Sequence, residues 1–275
     1  MQRRVGLIGF VRSILRIMAA RPQVPQSLAD NTALQLVLRR RSVRRFAQRE
    51  IPDDVFAAIL EAGRLAPSTV NLQTWSFAVF TPTSWLALFE RPIPFRAQRA
   101  VAVLGDTHRA RSVIDAFPHS PLLAYTVGVM NASLAAMNMN AAAETLGVAS
   151  VMLSETGRTG LLDCGYLKGK LALPDGVIPL MTMVFGYPRG ARPPMPPKLP
   201  LGEVCFEGVY QEADRAVMQE WLAQMRAGYR ASRPLSSFEA QLQVYTAKIG
   251  EAEADLDALA FSGCPGVDTL KREQA

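Results

Sequence analysis

Three separated segments of this 275-residue chain stand out together, and the first of them carries side chains suited to binding an anionic ligand. The first is the arginine-rich stretch 40–46, RRSVRRF, and the second is 66–75, APSTVNLQTW. The third joins 185–188, FGYP, to Lys198 further along the chain. Guanidinium groups form paired hydrogen bonds with phosphate oxygens, so the arginine run could hold a phosphate. Taken alone, such a run is also typical of a solvated basic surface.

Several common catalytic and cofactor motifs do not occur in the sequence. Neither GxGxxG nor GxxxxGK[ST] occurs, so no motif supports a dinucleotide-binding fold or a P-loop. GxSxG is missing, and His108 and His119 lie far from any obvious nucleophile, so a hydrolase triad is unsupported. The three scattered cysteines form neither a CxxC zinc pattern nor a disulfide framework, which indicates a reducing compartment.

The net charge of +6 comes from the N-terminal part of the chain. Residues 1–50 contain eleven arginines against Asp30 and Glu50, a balance of +9, so the remaining 225 residues are mildly acidic at −3. A nucleic-acid-binding domain usually spreads its basic side chains over one face of the folded body. This distribution therefore argues against nucleic acid as a partner.

The N-terminal segment 1–27 is predicted to contain a basic amphipathic helix. Within 3–19, the apolar side chains fall on one half of a helix drawn at about 100° per residue, and Arg12 and Arg16 fall on the other. These two arginines interrupt the apolar run, which argues against a signal peptide and a membrane span. Three uses remain open: packing on this chain or a partner subunit, peripheral membrane contact, or targeting.

The hydrophobic patterns in the rest of the chain predict a mixture of helices and strands that share one hydrophobic core up to about residue 190. Near-continuous apolar runs at 99–106 and 177–188 predict strands that are buried on both faces. The Ala- and Met-rich segment 122–146 predicts a central helix that is buried all round, with methionines such as Met130 and Met137 filling the core. Further strands are predicted at 75–81, 148–153 and 203–210, and further helices at 28–40, 53–66, 84–90, 211–230 and 236–261.

Two local signals complete this outline. Five prolines within 191–200 predict an extended arm without regular structure. The sequence Ser236-Ser237-Phe238-Glu239 matches a capping box at the start of the last helix.

Taken together, the three segments resemble the FMN-dependent nitroreductase family, which consists of NAD(P)H-dependent flavin oxidoreductases. The RRSxRxF opening, the APSxxNxQxW exit from a helix, the glycine after the central helix and the late GYP all occur in the family's order, over roughly residues 32–206. The resemblance implies an α+β sandwich around a mainly antiparallel sheet flanked by helices. It also implies an intertwined homodimer with two FMN at the subunit interface. The expected domains are 1–27, an FMN-binding domain at 28–206, and a C-terminal helical extension at 207–275.

The resemblance assigns roles to individual residues. Arg40 and Ser42 would hold the FMN phosphate together with Lys198, whereas Arg44 would lie near the ring edge, which gains negative charge on reduction. Pro196 stands where relatives often have a second basic residue, so one phosphate contact is expected to be missing.

The second segment would contact the flavin ring. Asn71 would hydrogen-bond the polar edge of the ring, and Ser68 would approach it from the partner subunit. Thr74 replaces the family's usual proline, and we expect this change to loosen the loop. The loop that begins at Ser154 would place backbone amides near flavin N5. The implied cofactor-binding set is Arg40, Arg41, Ser42, Arg44, Pro67, Ser68, Asn71, Ser154, Glu155, Thr156 and Lys198.

The implied activity is a ping-pong hydride transfer in the cytoplasm. NAD(P)H would pass hydride to flavin N5, and a nitroaromatic, a quinone or a similar small oxidised acceptor would then take the electrons. Because the nicotinamide stacks on the flavin, no separate nicotinamide-binding fold is needed. The alternatives are a specialised relative, such as a reductive dehalogenase or an azoline dehydrogenase, and a non-enzymatic flavin-binding protein associated with a membrane.

Overall fold

A computed structural model of the chain describes residues 6–115, 120–154 and 164–261. Its contacts divide the chain into two compact units. The larger unit comprises Thr32–Arg192 together with Lys248–Ala275, and the smaller comprises Met1–Asn31 together with Pro193–Ala247.

The larger unit is built on a four-stranded sheet in which every neighbouring pair of strands is antiparallel. The strands are β1 (Trp75–Phe80), β2 (Arg99–Asp106), β3 (Ala149–Leu153) and β4 (Val177–Gly186), in the spatial order β1-β2-β4-β3. Every residue of β2 is buried, as its apolar run predicts. The order places β1 at one edge of the sheet and β3 at the opposite edge.

Six complete α-helices accompany this sheet among the described residues of the larger unit. They are α2 (Thr32–Arg39), α3 (Asp53–Arg64), α4 (Pro82–Phe89), α5 (His108–Arg111), α6 (Pro121–Thr145) and α7 (Cys164–Lys170). Proline before α3 and the two aspartates in its first turn favour helix initiation there. The predicted antiparallel α+β sandwich is therefore confirmed for the fold.

Helix α6 crosses the sheet and makes its most extensive sheet contact with β2. The helix and strand approach closely because both carry glycine at the crossing: a Cβ on Gly128 would lie 3.4 Å from the Cα of Gly105. By length and a mean hydropathy of 1.2, α6 could also cross a membrane, a test that buried core helices pass as well. Met139 and four alanines of the helix lie in the main hydrophobic core, namely Ala132, Ala135, Ala136 and Ala143.

The prediction that α6 is buried all round is wrong. Met130 and Met137 are 55% and 47% exposed, although both were expected to fill the core. They share an exposed apolar face with Leu122, Leu123 and Leu134. A helix lying on one sheet is covered mainly on the side that meets the sheet, so the outer face of α6 stays uncovered within a single chain.

The smaller unit contains α1 (Leu7–Ala19), α8 (Arg215–Ser232) and the first part of α9 (Phe238–Phe261). Asp214 caps α8 by accepting hydrogen bonds from the backbone N–H groups of Ala216 and Val217. The proline-rich segment 191–200 has no regular helix or strand, as predicted.

Three local predictions need correction. No strand forms at 203–210, because no other strand pairs with this stretch. Gly208 turns the chain there at a φ of +77°. The centroids of the Phe206 and Tyr210 rings lie 5.3 Å apart. Ser237 caps α9 through the Ala240 N–H at 3.0 Å, and Glu239 binds Arg226 instead of closing a capping box. The helix expected at 28–40 begins only at Thr32, after a short 3-10 turn.

Candidate functional site

The arginine-rich segment 40–46 runs along β3 and the end of β4. The backbone N–H of Val43 donates to the Ser150 carbonyl at 3.1 Å, and that of Ala47 donates to the Tyr187 carbonyl at 2.8 Å. The buried ring of Phe46 packs on Gly186, where an added Cβ would come within 2.8 Å of the ring. This close approach explains why glycine precedes the Tyr-Pro of the third segment. The segment that carries Ser42 and Arg44 is therefore fixed to the sheet at both of its ends.

Three arginines gather around one buried carboxylate at the C-terminal end of α6. The Nη1 atom of Arg192 donates to Glu144 Oε2 at 2.6 Å, and the Glu144 side chain is only 3% exposed. Burial lowers the pKa of Arg41, the positive charges of Arg40 and Arg192 lower it further, and Glu144 acts in the opposite direction. Since Glu144 is bonded to Arg192, Arg40 and Arg41 add positive charge that the cluster could offer to an anion.

Arg41 has a positioning role within this arginine cluster. Its Nη1 donates to the carbonyls of Leu38 and Arg40, at 2.8 and 2.7 Å. These carbonyls lie at the C-terminal end of α2, where the helix dipole favours a cation. Arg41 thus fixes the turn from α2 into the segment that carries Arg40 and Ser42.

Arg44 projects from the surface next to an exposed aromatic ring. Its guanidinium carbon lies 6.0 Å from the centroid of the Phe95 ring, a weak cation–π distance. Phe95 and Arg96 both have positive φ, at 59° and 52°, so this loop holds two consecutive residues in a conformation that side chains disfavour.

The second segment is anchored to α6 near the N-terminal part of that helix. Asn131, which is buried, donates from Nδ2 to Thr74 Oγ1 at 2.8 Å and accepts from the Thr69 N–H at 3.2 Å. The Thr74 hydroxyl in turn donates to the Val127 carbonyl at 3.4 Å. The expectation that Thr74 loosens the loop is therefore wrong, because its hydroxyl is fully buried and bonded to the helix.

Backbone strain is concentrated at the tip of this loop. Val70, Asn71 and Gln73 all have positive φ, between 41° and 58°, which is least favourable for the β-branched valine. Ser68 stabilises the turn because its Oγ accepts from the Gln73 N–H at 3.0 Å. Pro67 is exposed, and the exposed side chain of Asn71 makes no hydrogen bond to other described residues. The loop presents the Asn71 amide outwards at a cost in backbone energy.

A cleft of about 850 Å³ lies beside the loop, and its lining includes Asn71 and Gln73. Residues of α3 and α5, the turn that follows α5 and the beginning of β1 line most of the rest. Arg109 lies in this cleft; its Nε pairs with buried Asp106 at 3.1 Å, and its Nη2 donates to the Trp75 carbonyl. The Arg64 hydrogen bond lowers the pKa of Glu61, so the carboxyl on the α3 side of the cleft is ionised at neutral pH.

The two halves of the expected cofactor site lie apart within one chain. The loop with Asn71 leads into β1, whereas the segment with Arg40 lies along β3 at the opposite edge of the sheet. Their anchors on α6, Asn131 and Glu144, are thirteen residues apart, or about 20 Å along the helix. One chain therefore does not bring the two sets of residues together.

The remaining expected site residues divide into three cases. Ser154 is exposed and directly follows β3, the strand that binds Val43. Glu155 and Thr156 lie outside the described residues. Lys198 is exposed in the proline-rich segment of the smaller unit.

Three residues of this region were missed by the sequence analysis, namely Asn131, Glu144 and Arg192. Glu144 is the only charged residue in the 25-residue apolar helix α6. A single charge in such a helix indicates a buried carboxylate that needs a partner, so the sequence could have identified it. Arg192 follows the GYP sequence by four positions, but no local pattern links it to a glutamate 48 residues earlier.

Comparison with known proteins agrees with this architecture. The nitroreductase family model matches residues 37–187, more than half of the chain. A candidate NADH dehydrogenase/NAD(P)H nitroreductase of Archaeoglobus fulgidus is 30% identical over 161 residues, covering 57% of this chain and 85% of that protein. An NADPH-flavin oxidoreductase of Vibrio harveyi is 26% identical over 208 residues, covering 74% and 84%.

A solved structure shows the same fold. The NADPH:FMN oxidoreductase of Vibrio harveyi in complex with NAD+ superposes with a TM-score of 0.63 at 22% identity, covering 78% of this chain and 91% of that one. The family match and the relatives together establish that this chain belongs to the nitroreductase family and is an NAD(P)H oxidoreductase of that family.

Proposed function

We propose that the protein binds FMN and transfers hydride equivalents in the cytoplasm from NAD(P)H to a small oxidised acceptor such as a nitroaromatic or a quinone. The observation that carries this proposal is the arginine cluster at the end of α6, next to a segment held on β3. The proposal follows the flavin named for the Vibrio harveyi relatives.

The phosphate end of FMN fits the arginine cluster. A phosphate dianion would balance the positive charge of Arg40 and Arg41, because Glu144 is already paired with Arg192. Arg40 and Ser42 would bind the phosphate oxygens, and Lys198 would add a further cation. Bound FMN would supply two-electron chemistry, accepting hydride from NAD(P)H and delivering it to the acceptor in a separate half-reaction.

The chain's own residues would orient and polarise the ring. Arg44 would place a positive charge at the ring edge, and the Asn71 amide would hydrogen-bond its polar atoms. The backbone at Ser154 and the expected contacts at Glu155 and Thr156 would border the ring. The Arg64 hydrogen bond lowers the pKa of Glu61, which disfavours this carboxyl as a proton donor, and we expect protons to come from water or from the acceptor.

The complete site would form between two copies of the chain. Within one chain, Asn71 and Arg40 lie at opposite sheet edges, so a second copy would have to supply the missing half. The exposed apolar face of α6 offers a surface for such a partner, since exposed contiguous apolar side chains favour association.

The identity of the cofactor tests the first part of the proposal. Denaturing the purified protein releases its flavin, and chromatography against standards identifies it. We expect FMN. Recovery of FAD, or no flavin together with no uptake of added FMN, contradicts the proposal.

Complementation between two variants tests the shared site. Arg40→Ala and Asn71→Ala each damage a different half, and we expect each alone to retain little FMN. In a mixed dimer formed by co-expression, one of the two sites combines an intact Arg40 half with an intact Asn71 half. Partial recovery of bound FMN is therefore expected, whereas a site contained within one chain would give no recovery.

A further inference from the structure

Helix α1 has two apolar faces, and only one of them packs inside the protein. On the inner face, Ile17 is buried against α8, where a Cβ added to Gly228 would lie 3.3 Å from its Cδ1. The guanidinium of Arg230 lies 5.5 Å from the centroid of the Phe10 ring, and Arg16 pairs with Glu220. These contacts attach α1 firmly to α8 within the smaller unit.

The outer face of α1 is apolar and exposed. Leu7, Ile8 and Leu15 are 79%, 86% and 64% exposed, and Val11 and Met18 are exposed beside them. At about 100° per residue these five side chains fall within roughly 100° of the helix circumference, so they form one continuous stripe. We call these five residues the outer stripe. Large side chains exposed in this way mark a surface that another phase or molecule covers.

The charged residues of the N-terminal segment that carries the outer stripe are all arginines. Arg12 and Arg16 line the same shallow surface as Leu7 and Leu15. Residues 1–27 contain five arginines and no acidic residue. Arg16 is paired with Glu220 in α8, so among the described residues Arg12 is the exposed, unpaired cation next to the stripe.

We propose that the outer stripe docks the protein onto an anionic membrane surface. Apolar side chains on a fixed helix, with arginines at their margin, match the acyl boundary and the headgroups of such a bilayer. A second copy of the same face is a poorer occupant, because a two-fold contact would bring two arginine-rich helices with no acidic residue against each other. The inner face remains packed on α8 in the docked state.

Vesicle co-sedimentation of the full-length, flavin-loaded protein tests this proposal. The vesicles are pure phosphatidylcholine or an equal mixture of phosphatidylcholine and phosphatidylserine. The test variant carries Ile8→Glu and Leu15→Glu. The matched control carries Val209→Glu and Leu235→Glu, which add the same charge at other exposed apolar positions of the same unit. Bound flavin absorbance shows that each variant is folded.

We expect the wild type and the control to sediment with the mixed vesicles and not with phosphatidylcholine alone. The test variant should lose at least about tenfold in partitioning, and Arg12→Gln about fivefold, with binding weakened by added salt. The proposal is overturned if the wild type does not sediment or if the test variant sediments equally. It is also overturned if the test variant changes the molecular mass in solution without lipid, because the face would then be an interface between copies.

Discussion

The Nη1 atom of Arg192 lies 2.6 Å from Oε2 of Glu144, which joins the loop after β4 to the C-terminal end of α6. The other carboxylate oxygen, Oε1, is buried and has no hydrogen-bond partner among the described residues. Arg192 is thus the main partner of a buried charge, and it brings a third guanidinium next to Arg40 and Arg41.

Removal of the Arg192 side chain should destabilise the protein. Arg192→Ala leaves the Glu144 carboxylate buried without its donor, and we expect the free energy of unfolding to fall by about 1–3 kcal/mol. Chemical denaturation measures this loss. Arg189→Ala, at an exposed arginine in the same loop, is the control and should be neutral. Equal stability of the two variants would show that the ion pair contributes nothing.

Inorganic phosphate should stabilise the flavin-free protein more than chloride does at equal ionic strength. A phosphate that occupies the arginine cluster at ten times its Kd would add about 1.4 kcal/mol to the free energy of unfolding. Thermal unfolding in the two salts measures the difference. Arg40→Gln should remove most of it, whereas Arg215→Gln, at the start of α8, should not. A phosphate effect that survives Arg40→Gln would place the anion elsewhere.

The hydrogen bond between Asn131 and Thr74 should contribute measurably to the free energy of unfolding. Thr74→Val keeps the shape of the side chain and removes the hydroxyl, so the buried Asn131 amide loses an acceptor at a cost of about 1–3 kcal/mol. A double-mutant cycle with Asn131→Ala isolates the pair, and we expect strong non-additivity. Thr83→Val, at an exposed position of α4, serves as the control. Additive effects would mean that the two side chains act independently.

Arg44 should influence the flavin potential more than flavin retention. A positive charge near the ring edge stabilises the negative charge that reduction adds, so Arg44→Ala should lower the midpoint potential by about 10–40 mV, an amount reduced by solvent screening. Spectroelectrochemical titration of wild type and variant decides this. Arg45→Ala, the adjacent exposed arginine, should leave the potential unchanged. An unchanged potential in the Arg44 variant would show that its charge acts elsewhere.

Much of the fold could be predicted because burial leaves a local pattern. The strand β2 matches its apolar run at 99–106 because both faces of a central strand are covered. The ends of helix α6 were also predicted to within one residue. Its exposed face was not predicted, because the hydrophobicity of a sequence does not distinguish a side that faces the sheet from a side left for a partner.

The site was harder to predict because its contacts join distant parts of the chain. The order of motifs located the Arg40 segment and the Asn71 loop. No local pattern indicates that Asn131 binds Thr74 across 57 positions or that Glu144 binds Arg192 across 48. Thr74 shows the difficulty well: the loss of a proline suggested a looser loop, whereas the hydroxyl supplies a buried hydrogen bond.

Anaerobic titration of the purified protein with NADH or NADPH is the most direct test of hydride transfer through a bound FMN. We expect a yellow protein whose flavin absorbance bleaches on addition of the reduced nicotinamide and returns when a nitroaromatic or a quinone is added. We also expect that the flavin extracted from the same sample is FMN. A flavin that stays oxidised with both NADH and NADPH, or a protein that neither contains nor takes up FMN, would contradict the account.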